Sequence, residues 1–289
     1  MPEINVHDEK ADKDILMRYE THGNPKDPAI VFVHGWLCNR RFWDDFLVLK
    51  DEGYFLIVPD VRGHGDTDYA KDVSVTSIAE DLNSLLDELD IDKVIMIGHS
   101  MGGLITQAFY EKYPKKVVAL GLWNTGGQIP FGYGIGTAFY IFRISMYLLG
   151  LIITYPIGPL FRVVLSQGWK LGFKKLGRSE AYQKHVQSVK NMNRASVLKA
   201  AFALPKFKGI NKLKDIKVPV SLLHGKADRF ITPIQLAKTL DEKITDSDLS
   251  ILEEAAHFPP NEKPEEVLGL LRVFLLKIRK NRIHKSATS

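Results

Sequence analysis

The stretch Lys93 to Gly103, K-V-I-M-I-G-H-S-M-G-G, constrains the fold more than any other part of the chain. Val94 to Ile97 is an unbroken apolar run, which suits a parallel strand covered by helices on both faces. Gly98-His99-Ser100-Met101-Gly102 follows, a G-x-S-x-G sequence, and Leu104 to Tyr113 then reads as a helix stopped by Pro114. This order of strand, sharp turn and helix has a chemical consequence. A serine hydroxyl is a poor nucleophile until a general base reaches it. A tight turn lifts the Ser100 hydroxyl clear of the sheet edge, and the small Gly98 and Gly102 let the strand and helix backbones close on one another. The helix N-terminus then faces any negative charge that develops there.

The rest of the chain builds a frame around this stretch. Ile15 to Glu20 is expected as the first strand and Ala29 to Val33 as the second, ending at His34-Gly35-Trp36. A helix is expected over Arg41 to Asp51, with Phe42, Phe46, Leu47 and Leu49 on its apolar side. Tyr54 to Val58 is the next strand and leads into a turn-rich loop, Pro59 to Gly65. Val75 to Leu89 carries apolar residues at helical spacing, and Val117 to Trp123 is again an apolar strand. Alternating strands and helices of this kind predict a doubly wound parallel sheet. From 126 to 213 the pattern breaks into apolar and helical segments. Strand character returns at Val218 to Leu223 and Leu249 to Leu252, and Glu266 to Lys280 closes the chain as an amphipathic helix. The expected organisation is a sheet domain of residues 1–125 and 214–289, interrupted by a helical cap over 126–213.

Within the cap, Ile144 to Phe161 is 18 residues without a charge, between Arg143 and Arg162. Length makes it a marginal membrane span, but topology opposes that reading. A single crossing would leave the strands before and after it on opposite sides of a bilayer, unable to share one sheet. The segment reads as an apolar lid over a pocket. Lys170, Lys174, Lys175 and Arg178 follow closely, so peripheral contact with a membrane interface through the cap stays open.

Composition narrows the remaining classes. With 45% hydrophobic and 25% charged residues the chain is globular, and its net charge of +5 is spread without a nucleic-acid motif. The single Cys38 cannot form an internal disulfide, and no Cys/His cluster has metal-ligand spacing. Residues 1–14 lack the apolar core of a secretory signal. These features predict a cytoplasmic protein, peripheral to a membrane if the cap makes contact, with no metal or other cofactor and no obligate protein partner.

A serine nucleophile needs a base, and the base needs a carboxylate to hold its tautomer. Asp228 lies in the loop after Val218 to Leu223, and His257 in the loop after Leu249 to Leu252. Loops at the C-terminal ends of parallel strands gather at one sheet edge, so the two can converge on Ser100. His224 is a rival base better suited to packing. Asn124 holds another position where a carboxylate could serve, but an amide cannot stabilise an imidazolium by charge. An oxyanion needs two backbone N–H groups. Met101, directly after the serine, offers one, and Trp36, in the loop after Val33, the other. His34 is expected to brace that loop, and Asp60, Arg62, His64 and Asp66 to form a hydrogen-bonded structural loop.

Taken together, G-H-S-M-G-G at 98–103, H-G-W at 34–36, D-V-R-G-H-G at 60–65, H-G-K-A-D at 224–228 and H-F-P-P-N-E-K-P-E-E-V from His257 resemble the α/β-hydrolase superfamily. The resemblance covers Ile15 to Lys280. It implies an eight-stranded, mostly parallel sheet with a helical cap inserted after the sixth strand. It also implies a catalytic triad of Ser100, Asp228 and His257, with Trp36 and Met101 as oxyanion donors. The short H-G-W is similar to a branch holding esterases, monoacylglycerol lipases, carbon–carbon bond hydrolases, cofactor-free perhydrolases and epoxide hydrolases. Epoxide hydrolases and haloalkane dehalogenases carry Asp at the Ser100 position, unlike this chain. The leading expectation is a serine hydrolase of carboxylic esters with an apolar acyl group. Carbon–carbon, amide or perhydrolase chemistry on the same triad is the alternative, and a ligand-binding module on a hydrolase scaffold is the reading from another class.

Overall fold

A computed structural model describes residues 2–128, 194–229 and 231–287. Residues 129–193, which hold most of the expected cap and all of the uncharged run 144–161, lie outside the described residues. The first strand is one that the sequence reading passes over. β1 (Glu3–Asp8) pairs antiparallel with β2 (Lys13–His22), from Glu3 opposite Arg18 to Asp8 opposite Lys13. Its signal is faint because only Ile4 and Val6 are apolar, at the period of two that an edge strand needs. The strand expected as first, Ile15 to Glu20, is therefore the second.

β3 (Ala29–Val33), β4 (Phe55–Pro59), β5 (Val94–His99), β6 (Val117–Trp123), β7 (Val220–Gly225) and β8 (Ser247–Leu252) complete an eight-stranded sheet of order β1-β2-β4-β3-β5-β6-β7-β8. All neighbours from β4 to β8 run parallel, and β2 joins β4 antiparallel. Residues alternate between two cores. Along β3, Val31 and Val33 face the side covered by α1 (Val75–Glu88) and α2 (Met101–Lys112), while Ile30 and Phe32 face the other. That second side is filled by the segment Arg40–Glu52 and by the last helix, Pro264–Ala287.

Arg40–Glu52 is built of 3-10 turns, where the sequence reading expects an α-helix. Trp43, Phe46 and Leu49 are fully buried at intervals of three residues, the repeat of a 3-10 helix, so a single row meets the sheet. Asn39 starts it by accepting the Arg41 N–H at 3.0 Å, and Gly53 ends it at φ 79°. Phe32, Trp43, Phe46 and Trp123 pack ring against ring, with centroids 4.9 to 6.0 Å apart. Truncating Phe46 to alanine there costs about 3–5 kcal/mol.

After the undescribed residues the chain descends through α3 (Arg194–Ala203) and three 3-10 turns to β7. Lys199 in α3 donates to the Tyr69 hydroxyl and sits 4.8 Å from the centre of its ring, which ties this leg to the loop after β4. Three further helices follow. The sequence reading does not include α4 (Ile234–Lys243), which buries only Ala237 and Leu240, whereas α5 (Pro259–Glu262) leads into α6 (Pro264–Ala287), whose Val267, Leu271 and Phe274 enter the second core. No described helix is long and apolar enough to cross a membrane.

Candidate active site

Ser100 sits between β5 and α2 with φ 54° and ψ −114°, a backbone conformation that side chains disfavour. The glycines around it make the turn sterically feasible. A Cβ on Gly98 would lie 2.3 Å from the Gly102 carbonyl oxygen, and one on Gly102 would lie 2.1 Å from that of Val33. Both neighbours are main chain, so neither could give way. The end of β6 holds the serine from the side: Ser100 N–H donates to Trp123 O at 2.9 Å, and the Thr125 hydroxyl donates to Ser100 O at 2.8 Å.

Ser100, His257 and Asp228 form one hydrogen-bonded row. His257 Nε2 is 3.0 Å from Ser100 Oγ, and Nδ1 is 2.6 Å from Asp228 Oδ2. An ionised carboxylate only accepts, so Nδ1 carries the proton and Nε2 is left to accept from the serine hydroxyl. Both partners are secluded, His257 at 6% exposure and Asp228 at 4%. Burial would raise the Asp228 pKa, but the charge and hydrogen bond of His257 and the bonds from Thr232 outweigh it and hold it below the usual carboxylate range. The sheet explains the meeting. Each residue follows the C-terminal end of its strand, and β5, β6, β7 and β8 are consecutive neighbours.

Two residues beside this row are not singled out as partners by sequence reasoning. The Thr232 hydroxyl donates to Asp228 Oδ2, and the N–H groups of Ile231 and Thr232 donate to Oδ1 at 3.1 and 3.2 Å. Asn124, which the sequence weighs only as a failed acid, is a bridge. Its Nδ2 donates to Asp228 Oδ2 at 3.1 Å and to Ala256 O at 3.0 Å, while its Oδ1 accepts the Gly225 N–H at 3.1 Å. One signal was available, since Asn tolerates the positive φ of 42° found at this strand end.

Other expected residues fall into place around the row. The Gly35 loop lies on the serine turn, where an added Cβ would be 3.3 Å from Ser100 Cβ and 2.9 Å from His99 Nδ1. This brings Trp36, the next residue, to the same edge as Met101, the first residue of α2. His34 braces its loop, accepting the Val61 N–H at Nε2 (3.1 Å) and donating from Nδ1 to Gly35 O (2.8 Å). Complete burial pushes its pKa down to about 4, the Gly35 bond only partly opposing. His224 is buried in β7, and burial lowers its pKa too, against the pull of Asp228.

Asp60, Arg62, His64 and Asp66 are engaged with their own surroundings. Asp60 accepts from the Arg40 main chain and guanidinium and from the Asp66 N–H, and Arg62 grips Asp81 through two bonds of 2.5 Å. His64 is fully buried and donates from Nδ1 to Arg62 O at 3.2 Å. Among the described residues no group of three or more His, Cys, Asp or Glu could hold a metal ion.

The alpha/beta hydrolase fold family model matches residues 28–264. The chain belongs to this family. An uncharacterized protein of Mycobacterium bovis is 26% identical to this α/β-hydrolase-fold chain over 265 residues, 86% of the chain and 75% of that protein. The 3-oxoadipate enol-lactonase 2 of Acinetobacter baylyi is 24% identical over 92% of the chain and 95% of its own length. Among solved structures, a thermophilic esterase from Thermogutta terrifontis superposes with a TM-score of 0.81 at 23% identity, covering 96% of this chain and 99% of its own. That likeness extends the shared fold to almost the whole α/β-hydrolase chain.

Proposed function

We propose that this protein is a serine hydrolase of carboxylic esters that works through an acyl-enzyme on Ser100. The unbroken row from Ser100 Oγ through His257 to Asp228, at 3.0 and 2.6 Å, carries the reading. His257 takes the hydroxyl proton as Ser100 attacks the ester carbonyl, and Asp228 steadies the imidazolium that forms. The N–H groups of Trp36 and Met101 hold the oxyanion. Collapse breaks the bond to the alcohol, which leaves with the proton from His257. Water, deprotonated by the same imidazole, then attacks the acyl carbonyl and frees Ser100 and the acid. The Acinetobacter enol-lactonase and the Thermogutta esterase agree in bond class, since a lactone is a cyclic ester.

The apolar acyl preference rests on the uncharged run 144–161, because such surface is best buried around an apolar ligand. The test is a fluorophosphonate probe on wild type and Ser100→Ala, followed by p-nitrophenyl esters of two to sixteen carbons. Labelling of wild type alone and a rate maximum at a longer chain support both parts. Equal turnover by Ser100→Ala removes the mechanism, and a maximum at acetate removes the acyl preference. Peripheral membrane contact through the cap is a separate part of the proposal, abandoned if the protein fails to co-sediment with anionic liposomes at low salt.

A further inference from the structure

The segment carrying His257, between the end of β8 at Leu252 and the start of α5 at Pro259, has neither helix nor strand to hold it. Its imidazole nevertheless has to stay within hydrogen-bond distance of Ser100. The main chain is held instead by groups from elsewhere. Ala255 O accepts the Ala227 N–H at 2.9 Å, Ala256 O accepts Asn124 Nδ2 at 3.0 Å, and His257 O accepts the His99 Nε2–H at 2.6 Å. The two amides that flank His257 both go to one side chain. Ala256 N–H donates to Glu262 Oε2 at 2.7 Å and Phe258 N–H to Oε1 at 2.8 Å.

A simpler role would be capping of α5. Phe258 is the N-cap of that helix, and the Glu262 N–H already returns to Phe258 O at 2.9 Å. Capping accounts for the bond to Phe258 but not for the one to Ala256, which lies outside the helix. The carboxylate instead spans His257, one oxygen on each side.

We infer that Glu262 is a positioning residue for His257, its carboxylate fixing the main chain on both sides of the base while His99 fixes the carbonyl between. The inference rests on the proposed role of His257. Glu262 also acts by charge. The titratable groups facing His257 are Asp228 and His224 from β7 and its loop, His99 from β5 and Glu262 from α5. Of these, Asp228 and Glu262 are the anions that favour the imidazolium. Burial raises the pKa of Glu262 itself, with the Ala256 and Phe258 bonds opposing.

Glu262→Gln tests this with little change in shape. A carboxamide has one oxygen, so one of the two amides would face an NH2 group. In the full-length protein kcat on a p-nitrophenyl ester should fall about tenfold with KM within about twofold. The His257 ring, followed by carbon NMR at Cε1, should titrate at lower pH because an anion has gone. Amide exchange at Ala256 and Phe258 should quicken. Glu262→Asp keeps the charge but is too short to span both amides, so it should lower kcat without that titration shift, and it serves if the glutamine variant does not fold. A glutamine variant with wild-type kcat and an unmoved His257 titration, whatever its melting temperature, would reduce Glu262 to a helix cap. Failure of the hydrolase reading looks different: wild type neither labels at Ser100 nor turns over esters, while His257 titration and amide exchange still decide the clamp.

Discussion

The serine turn and the His257 segment meet within 3.0 Å, yet they are built by opposite means. At Ser100 the geometry is largely local. A strand and a helix separated by one residue force a positive φ, and Gly98 and Gly102 remove the Cβ atoms that would prevent it. At His257 almost nothing is local except Glu262. The imidazole and its loop are placed by Asp228, Asn124 and His99, which stand 29, 132 (measured from Ala256) and 158 positions away in the chain. A nucleophile can thus be written into a short stretch of sequence, whereas its base is located by the sheet.

The contrast can be tested from both ends. Ser100→Ala should lower turnover by on the order of 10⁵-fold with the melting temperature nearly kept, since it removes only the reacting atom. Asp228→Asn should lower kcat by about 10⁴-fold, because an amide at Oδ2 would favour the wrong imidazole tautomer. If that variant kept most of its activity, Asp228 would not be the orienting group.

Smaller effects separate the local turn from the borrowed contacts. Gly102→Ala should cost about 3 kcal/mol or more in urea unfolding, because the new methyl meets main chain on which no side chain can yield. Asn124→Ala should cost about 1–3 kcal/mol by leaving the Gly225 N–H unpaired, and should reduce kcat up to about a hundredfold by loosening Asp228 and the Ala256 carbonyl together. A stability loss in Asn124→Ala with unchanged kcat would mean that the His257 segment does not depend on it.

The last effect lies in pH and touches stability but not turnover. His34 and His64 are buried neutral, with pKa values held down to about 4 and about 3 by burial, aided at His64 by the neighbouring His34. Unfolded histidines bind protons below about pH 6.5, so each contribution is complete above that pH and is lost as pH falls towards the folded pKa. For His34 the full loss is at most about 3 kcal/mol, and the urea midpoint should decline from pH 7 to pH 4. His34→Gln should flatten that decline, and an equal slope in the variant would assign it to other groups.

Much of this was legible in the sequence because it depends on short windows. The apolar run 94–97, the glycines at 98 and 102, and Asp228 and His257 each just beyond a strand are local patterns, and the family match over residues 28–264 agrees with the fold they imply. Edge strand β1 was too polar to register, and the 3-10 turns of Arg40–Glu52 look helical until the row Trp43, Phe46, Leu49 meets the sheet. Asn124, Thr232 and Glu262 each have an ordinary local use, as a strand-end, turn or capping residue. What the sequence by itself determined is the turn that presents Ser100 and the order of the residues that follow it, since steric limits and hydrophobic period act between near neighbours. Only the tertiary structure decided which donors share Asp228 and which groups grip the His257 segment, because hydrogen bonds reach about 3 Å and their partners are chosen by strand order, which no short window contains.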